Sequence, residues 1–403
     1  MLSLLLTGCA FEGRLPGMPQ AREETEDSEA AGFDIDPVFG WELPKGTPHI
    51  AVDRTGYLLG QEKIAMAENC EPGDHFFVVD EKDQSAVWSG KLESSQSGMV
   101  YGDFTEFDTP GRYCIWSEKV GSSYPFEIGE DVYQELRKEA QEKAEIDVSD
   151  EDRACYDILC IIVCEETGIA HAGDDEEDPL LDSAMETVRK WIGRTEGTPY
   201  MSAALSGMSV LCYGRDNELS GSCFHTAQAI ENAYRLSHPE DREGAFLMSA
   251  ALYRAGGLMS DRTRAEAFLT SGTEPDFSDL SVYLGSAFYL LTKRKVNTGV
   301  CETIMRRLTE ETSATTQNDR RSPYMAGENG KDDREMLASA MRTAFVNYAI
   351  TNHEYRTSLQ NYVHFFLGRN SEKAERIPEK YPIEWYLLLM ACTQEEVAAI
   401  TEN

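Results

Sequence analysis

The chain has 403 residues, a length that suits two folded domains because single hydrophobic cores stop growing near ~250–300 residues. Its 71 acidic and 37 basic residues leave a formal net charge of −34, which repels phosphate backbones and anionic lipid surfaces. This charge excludes nucleic acid as a partner and leaves a neutral substrate or a cation as candidates.

The first nine residues, MLSLLLTGC, form a short apolar run that ends in Leu6-Thr7-Gly8-Cys9. The run resembles a bacterial lipoprotein signal with its lipobox, which would be cleaved before Cys9 and leave that thiol to carry a diacylglycerol. It is far shorter than the ~20 residues of a membrane-spanning helix. We therefore expect a lipid anchor on the extracellular face of the bacterial membrane. A fortuitous apolar start, and a true start upstream of Met1, both stay open.

Residues 10–46 are rich in Glu, Asp, Gly and Pro, with REETEDSEAAG at their centre. Such a segment cannot bury enough apolar surface to fold, so we expect an acidic, disordered tether. Residues 47–130 then carry seven short β-rich runs separated by turn sequences such as EPGD, SSQSG and DTPG. Short strands at this spacing predict an immunoglobulin-like β-sandwich.

Residues 131–403 have helical periodicity throughout. Several runs, such as YMSAALSGMSVLCY, are apolar on more than one face, as expected of helices buried between neighbours. About twelve helices are predicted, and we expect them to form a closed ring of helical hairpins. The predicted helices lie near 131–146, 152–166, 179–194, 199–213, 216–236, 239–256, 261–270, 279–293, 298–313, 332–350, 353–368 and 382–399.

The nine cysteines that follow Cys9 include no CxxC pair. Cys155, Cys160 and Cys164 lie in the apolar helical run CYDILCIIVC, where free thiols behave as small hydrophobic side chains. A zinc site would need tighter, paired spacing. The sequence predicts neither a metal site nor a disulfide framework.

The β-rich segment resembles the N-terminal immunoglobulin-like domain of family 9 glycoside hydrolases, the cellulase family. The resemblance rests on IAVDRTGYLLGQEKIAM, FFVVDE, VWSGKL, YGDFTEFDTPGRYCIW and GSSYPFEIGEDVYQEL, which follow the family's order. In that family the sandwich packs against an (α/α)6 barrel that hydrolyses β-glucans. The resemblance therefore implies an (α/α)6-barrel-like second domain, in agreement with the helical count.

The helical half is similar to the family at fewer places. DPLLDSAMETVRKWI, REGAFLMSAALYRAGG, HEYRTSLQNYVHFFLGRN and IEWYLLLMA resemble four of its helices in the same order. Twelve helices leave little chain for long insertions, since a helix averages ~11–12 residues with ~2–8 in the connections. We expect a shortened barrel whose substrate-binding loops are trimmed.

The resemblance implies two carboxylates. Inverting glycosidases need a base that activates water and an acid ~6.5–9.5 Å away that protonates the leaving oxygen. The base belongs to a GGWxDAGD loop, of which only His171-Ala172-Gly173-Asp174 remains here. Asp174 takes the position of the base, and His171, a candidate substrate-binding residue, replaces the first Asp.

The acid belongs to a TNExxINW motif. Aligning Ile383 and Trp385 with INW places Lys380 at the acid position, with Glu379 beside it as the candidate acid. Lys380 favours the ionised form of a neighbouring carboxyl, which opposes proton donation. Trp385 is the candidate for stacking on sugar.

Each candidate also has a structural interpretation. The five carboxylates from Asp174 to Asp178 favour a solvated turn ahead of a helix beginning at Pro179, and they leave open a bound calcium ion. His225 and His364 lie in helical patterns and are expected to be packed and hydrogen-bonded. The tryptophans are expected to pack in the core; they are Trp88, Trp116, Trp191 and Trp385.

We expect a cell-surface lipoprotein that resembles a family 9 glycoside hydrolase, with impaired or lost catalysis, and that binds β-linked polysaccharide or oligosaccharide. Two alternatives remain: an active inverting β-glucan hydrolase that uses Asp174 as base, and a protein-interaction module. No cofactor is expected, and the membrane is contacted through the lipid alone.

Overall fold

The structure is a computed structural model that describes residues 44–168, 179–272, 274–327, 332–349 and 355–393. All of them belong to one compact unit, Phe39–Asn403. Within it, a β-sandwich precedes a helical domain, so the expected fold class is confirmed. No described helix is both long and apolar enough to cross a membrane.

The sandwich consists of two sheets of short strands. One sheet has the order β1-β3-β7-β6, and the other has the order β2-β10-β8-β4-β5, with β9 paired to β8. Pairing is antiparallel except between β10 and β2, which are parallel. The strands are β1 (Ile50–Ala51), β2 (Gly56–Leu58), β3 (Ile64–Ala67), β4 (His75–Asp80), β5 (Ala86–Lys91), β6 (Glu93–Ser94), β7 (Val100–Asp103), β8 (Gly111–Ser117), β9 (Gly121–Ser122) and β10 (Phe126–Gly129).

The first predicted strand is divided by a turn at Asp53, which sends β1 and β2 to different sheets. Asp53 Oδ1 accepts hydrogen bonds from the backbone N–H groups of Thr55 and Gly56, at 2.8 and 3.0 Å. Gly56 has a φ of +146°, and a Cβ there would lie 2.1 Å from the carbonyl oxygen of Glu127 on β10. Asp fits the turn because its carboxylate satisfies these donors, and Gly fits because β10 comes so close.

Aromatic rings fill the space between the sheets. Tyr57 meets Phe104 and Phe126 edge to face, with 5.4 Å between ring centroids in each pair. All three rings are buried. Alternation along the strands directs these side chains inward, which is the period-2 pattern of a sandwich core.

Twelve helices follow in the described residues, each close to a predicted run. They are α1 (Gln134–Lys143), α2 (Glu151–Thr167), α3 (Pro179–Arg189), α4 (Pro199–Cys212), α5 (Asn217–Ser237), α6 (Arg242–Gly256), α7 (Met259–Leu269), α8 (Leu280–Leu290), α9 (Thr298–Arg320), α10 (Asp333–Ala349), α11 (Arg356–Phe366) and α12 (Pro382–Thr393). The largest difference is α9, which continues seven residues beyond the prediction.

The even-numbered helices form an inner ring and the odd-numbered ones surround it. Going round the ring, α2 contacts α4, α4 contacts α6, α6 contacts α8, α10 contacts α12, and α12 contacts α2. Helices α8 and α10 meet through side chains: the rings of Tyr283 and Phe345 lie 6.0 Å apart. Helix α2 also contacts α10, so the ring is narrow.

Burial follows this division into layers. The inner helix α4 buries almost every residue, including Gly207 and three serines whose short side chains allow close packing. The outer helix α9 buries only one stripe, at intervals of four residues from Val300 to Thr316. The all-round burial of α4 and the single buried stripe of α9 are those of an inner and an outer helix, whereas the outer helix α11 is also buried on nearly every side.

The sandwich and the helical domain meet at a polar interface, which we call the joint. The Arg54 N–H donates to the Leu367 carbonyl at 2.8 Å, and Lys373 Nζ lies 2.5 Å from a Glu68 carboxylate oxygen. Asp53 Oδ2 lies 2.8 Å from His364 Nδ1, and both side chains are buried. These contacts attach the sandwich to α11 and to the segment that follows it.

Candidate functional site

The N-terminal ends of the inner helices lie together. Arg153 at the start of α2 contacts Glu384 at the start of α12, and the Ser281 hydroxyl on α8 donates to the Tyr200 hydroxyl on α4 at 3.1 Å. Helix N-termini present unpaired N–H groups and a positive dipole end, so this face of the ring is the natural place for a site that handles charge. We refer to it as the N-terminal end of the ring.

Several carboxylates at this end are engaged in capping. Asp150 accepts from the Arg153 N–H at 3.1 Å, Asp241 from the Gly244 N–H at 2.9 Å, and Asp279 from the Ser281 N–H at 2.9 Å. Asp is a preferred N-cap because its oxygen satisfies one of the four free donors of the first turn. These residues begin α2, α6 and α8 and are not free to act on a ligand.

A different pair of carboxylates is buried just inside the ring. Asp157 on α2 and Glu384 on α12 each contact the same nitrogen, Nη2 of Arg153; the Asp157 oxygen is 3.0 Å away. Both carboxylates are 1% exposed. The guanidinium carbon also lies 4.6 Å from the ring centroid of Tyr381. We call Arg153, Asp157 and Glu384 the Arg153 cluster.

Burial changes the proton affinity of both acids. It raises the pKa of Asp157 to about 8, with a further contribution from the nearby charge of Glu384. The pKa of Glu384 is also raised, chiefly by burial, although Arg153 opposes the shift. Desolvation disfavours the charged form, and one guanidinium cannot fully compensate two carboxylates. The pair therefore holds a proton near neutral pH.

The spacing in the Arg153 cluster does not suit an inverting hydrolase. Two oxygens that both contact one guanidinium nitrogen lie within about 6 Å of each other, below the ~6.5–9.5 Å that leaves room for a water and a sugar. Both acids also contact the Arg153 guanidinium. A cation this close favours the ionised carboxylate, whereas a proton donor has to be in its protonated form. The arrangement is that of a structural ion cluster.

Two small cavities lie among the described residues of α2, α8, α9 and α10. A cavity of about 30 Å³ lies between α2, α8 and α10, lined in part by Tyr156, Cys160 and Arg342. A second cavity, of about 40 Å³, lies on the outer side of Arg342 and Tyr283. Binding sites for organic ligands span roughly 300–1,000 Å³. Neither cavity admits a hexose.

The structure describes only some of the residues singled out from the sequence. Cys9, His171 and Asp174 lie outside the described residues, so their predicted roles stay predictions. Glu379 and Lys380 are exposed on the segment that precedes α12. Trp385 is 2% exposed, with its ring 5.5 Å from that of Phe366.

The other aromatic and histidine candidates are packed, except His225, which is exposed on α5 although it was expected to be packed. Trp191 is buried, and Trp88 packs against Phe76 at 5.6 Å between centroids. His364 is buried and bonded to Asp53, as expected of a packed histidine. Within the described ranges, no group of three His, Cys, Asp or Glu side chains is placed to hold a metal ion.

Sequence analysis missed the Arg153 cluster, although a signal was present. Arg153 and Asp157 are spaced i, i+4 just before the apolar run ILCIIVC of one helix, and Glu384 is the one charge in PIEWYLLLMA. A charged side chain within an apolar helix is rarely buried without a partner. The partner could not be named, because Arg153 and Glu384 are 231 residues apart in the chain.

Comparison with known families identifies the first domain. Residues 45–122 match the model of the cellulase N-terminal ig-like domain. No curated protein matches the chain.

Solved structures share the whole fold at low sequence identity. A metagenome-derived glycoside hydrolase family 9 endoglucanase superposes with a TM-score of 0.65 at 14% identity, over 80% of this chain and 84% of its own. The Bacteroides ovatus GH9 protein gives 0.63 at 15% identity, over 86% and 98%. AaCel9A in complex with cellobiose-like isofagomine gives 0.62 at 15% identity, over 80% and 83%. The chain is thus similar to family 9 glycoside hydrolases in fold, with their N-terminal immunoglobulin-like domain.

Proposed function

We propose that this chain, which has the fold of family 9 endoglucanases, is a bacterial cell-surface protein that binds β-linked polysaccharide without hydrolysing it. The polysaccharide is suggested by the fold and by the cellulase-type first domain; one relative of the same fold is solved with a cellobiose-like ligand. Fold alone does not carry an activity, so the argument against hydrolysis has to come from the site.

The observation that carries the non-hydrolytic part of the proposal is the Arg153 cluster. Hydrolysis with inversion needs two carboxyl groups that face each other across a substrate-sized cleft. Within the described residues, the buried Asp157 and Glu384 instead share one guanidinium, and the two cavities beside α8 and α10 are too small for a hexose. The exposed Glu379, next to Lys380, stands apart from them at the surface.

The alternative of an active inverting hydrolase depends on Asp174. A direct test incubates the full-length protein with soluble β-glucans and measures reducing ends over a long period, alongside affinity electrophoresis in gels that contain the same polymers. We expect retarded migration and no release of reducing ends above that of Asp174→Asn. Glu177→Gln, in the same acidic run, is the matched control.

Two outcomes contradict the proposal in different ways. Release of reducing ends by the wild type that Asp174→Asn abolishes and Glu177→Gln leaves intact would establish a hydrolase. Unretarded migration with every β-linked polymer, together with no release, would favour the protein-interaction module.

The surface location depends on Cys9. We propose that this thiol carries a diacylglycerol and that the acidic segment 10–46 links the lipid to the folded domains. In a bacterial host that processes lipoproteins, the wild type should enter the detergent phase of a Triton X-114 partition, and Cys9→Ser should move to the aqueous phase. Cys70→Ser is the control. Equal partitioning of the wild type and Cys9→Ser would rule out the anchor.

A further inference from the structure

Arg369 is a cation in the interior of the protein, directly after α11. It is 0% exposed, and its guanidinium Nη2 donates to Asn361 Oδ1 at 2.6 Å. Asn361 and His364 lie one turn apart on α11, and both are also buried. The three side chains lie where the helical domain meets the turn at Asp53.

Four polar atoms of these side chains have no hydrogen-bond partner among the described residues. They are Nε and Nη1 of Arg369, Nδ2 of Asn361 and Nε2 of His364. Buried polar atoms almost always have partners, and an unpaired buried cation is especially unfavourable. Four unpaired polar atoms on three neighbouring side chains indicate that a bound species accepts their hydrogen bonds.

No carboxylate of the described residues forms an ion pair with Arg369 within 4.0 Å. The half-buried Glu62 is 3.8 Å from Arg320 instead. Asp53 already bonds with the N–H groups of Thr55 and Gly56, with Tyr133 and with His364. The charge of Glu62 acts on Arg369, but the two side chains form no ion pair within 4.0 Å, and Glu62 Oε2 is itself buried without a hydrogen-bond partner in the described part of the chain.

The protonation state of the Asp53–His364 pair also determines which charges lie beside Arg369. Burial raises the pKa of Asp53 to about 8 and lowers that of His364 well below its usual range. The pair is then neutral, and a protonated Asp53 donates to Nδ1, which leaves the imidazole proton on Nε2. Near pH 7 the orphan atoms are thus all donors, and Arg369 is the one full charge of the group.

We infer that Arg369, with Asn361 and His364, binds a small monovalent anion of chloride size at the joint between the two domains. A bridging water is the competing occupant, because Glu62 Oε2 is also buried without a partner among the described residues and would accept a hydrogen bond from it. The anion accepts from Arg369 Nε and Nη1 and from Asn361 Nδ2, and it neutralises the buried guanidinium. This inference is independent of glycan binding.

Bromide is the direct probe. Crystals of the full-length protein, soaked in sodium bromide and measured at the bromine absorption edge, should give an anomalous peak within hydrogen-bonding distance of Arg369 Nε or Nη1. An ordered water at that position without anomalous signal, or no density between the three side chains, would overturn the inference.

A solution measurement needs no crystal. At constant ionic strength, with chloride replacing gluconate, the Tm of the wild type should rise and saturate, since a ligand that binds only the folded state stabilises it by mass action. Arg369→Gln removes the charge and should abolish the rise. If that variant does not fold, Asn361→Leu tests the same prediction.

The matched control is Arg215→Met, which changes an exposed arginine. It should retain the full chloride response. An equal chloride response in the wild type, Arg369→Gln and Arg215→Met would reduce the effect to general salt action and refute the site.

Discussion

Arg153 is the cation that both Asp157 and Glu384 contact at the N-terminal end of the ring. It contacts Asp157 and Glu384 through one nitrogen and packs over Tyr381. A buried ion cluster contributes little net stability compared with apolar packing, but removal of one member leaves an uncompensated charge. The consequence is a strong asymmetry between single and multiple substitutions.

We expect Arg153→Met to reduce the free energy of unfolding by about 3 kcal/mol at pH 8. The loss should be smaller at pH 5. The folded-state pKa values of Asp157 and Glu384 are raised, so more of the carboxyl groups are protonated at pH 5 than at pH 8, and the need for a counter-charge is smaller. Urea unfolding at the two pH values measures this difference.

Arg306→Met is the control, because Arg306 pairs with Glu310 on the surface of α9. Exposed pairs contribute ~0–1 kcal/mol, so little change is expected at either pH. The triple variant Arg153→Met, Asp157→Asn, Glu384→Gln should recover part of the stability lost at pH 8. A loss for Arg153→Met that is equal at pH 5 and pH 8 would contradict the assigned protonation.

Asp53 gives a second pH prediction, at the joint between the domains. Its folded-state pKa, about 8, lies above its ordinary value of 3.8, so the unfolded chain loses this proton first as the pH rises. Its contribution to stability is complete below pH ~4 and is lost progressively up to pH ~8. Asp53→Asn imitates the protonated acid and should flatten the fall in Tm between pH 5 and pH 8.

Asp80→Asn is the comparison, since Asp80 is a partly exposed acid of the same sandwich. It should leave the pH dependence unchanged. If Asp53→Asn instead lowers Tm by the same amount at every pH, Asp53 is ionised in the folded protein.

At the scale of helices, glycine permits the closest contacts of the inner ring. A Cβ at Gly285 on α8 would lie 2.6 Å from the Phe246 ring and 3.2 Å from the Leu247 Cα, both on α6. Phe246 is itself held in a stack with Phe268, 4.6 Å between centroids. Neither the ring nor the backbone can move aside easily.

Gly285→Ala should therefore destabilise the protein by about 1–3 kcal/mol, the usual cost of overpacking a core. Gly221→Ala on α5 is the matched control, because nothing lies within 4 Å of its added Cβ. That variant should gain ~0.5–1 kcal/mol from helix propensity alone. Chemical denaturation of both variants measures the contrast, and a neutral Gly285→Ala would mean that α6 and α8 lie farther apart.

At the scale of the whole molecule, the sandwich and the ring are joined by buried contacts. Tyr133, where the two domains meet, donates to the Gly56 carbonyl at 2.7 Å, and Tyr324 donates to Glu68 at 3.1 Å. With the Asp53–His364 bond, these contacts cross the joint at several separate places. Separation of the domains would expose all of them at once.

We therefore expect the two domains to unfold together. Differential scanning calorimetry should give one transition whose calorimetric and van't Hoff enthalpies agree. His364→Leu should lower its midpoint and keep it single, whereas the exposed-site control His238→Leu should not shift it. Two resolved transitions in the wild type would show that the joint is weaker than its contacts indicate.

The fold was largely predictable because its signals are local. The alternation in HFFVVD and GRYCIW, the turns between the strands and the all-round apolar helices each depend on neighbours within one element. The helix bounds agree for the same reason: Asp150, Thr198, Asp216 and Asp241 cap their helices through their own side chains. The order of these elements, with their family resemblance, was enough to indicate a sandwich followed by a ring of hairpins.

The sequence by itself determined the net charge, the division into a β-rich part and a helical part, and the incomplete catalytic motifs around Asp174 and Lys380. Tertiary structure alone decided which charges meet: Arg153 with Glu384 across 231 residues, and Asp53 with His364 across 311. Local patterns report whether a side chain lies on a buried face, since that depends on the period of its own helix or strand. Partners and proton affinities depend on distances between elements, which are set only when the ring closes and the sandwich packs against it.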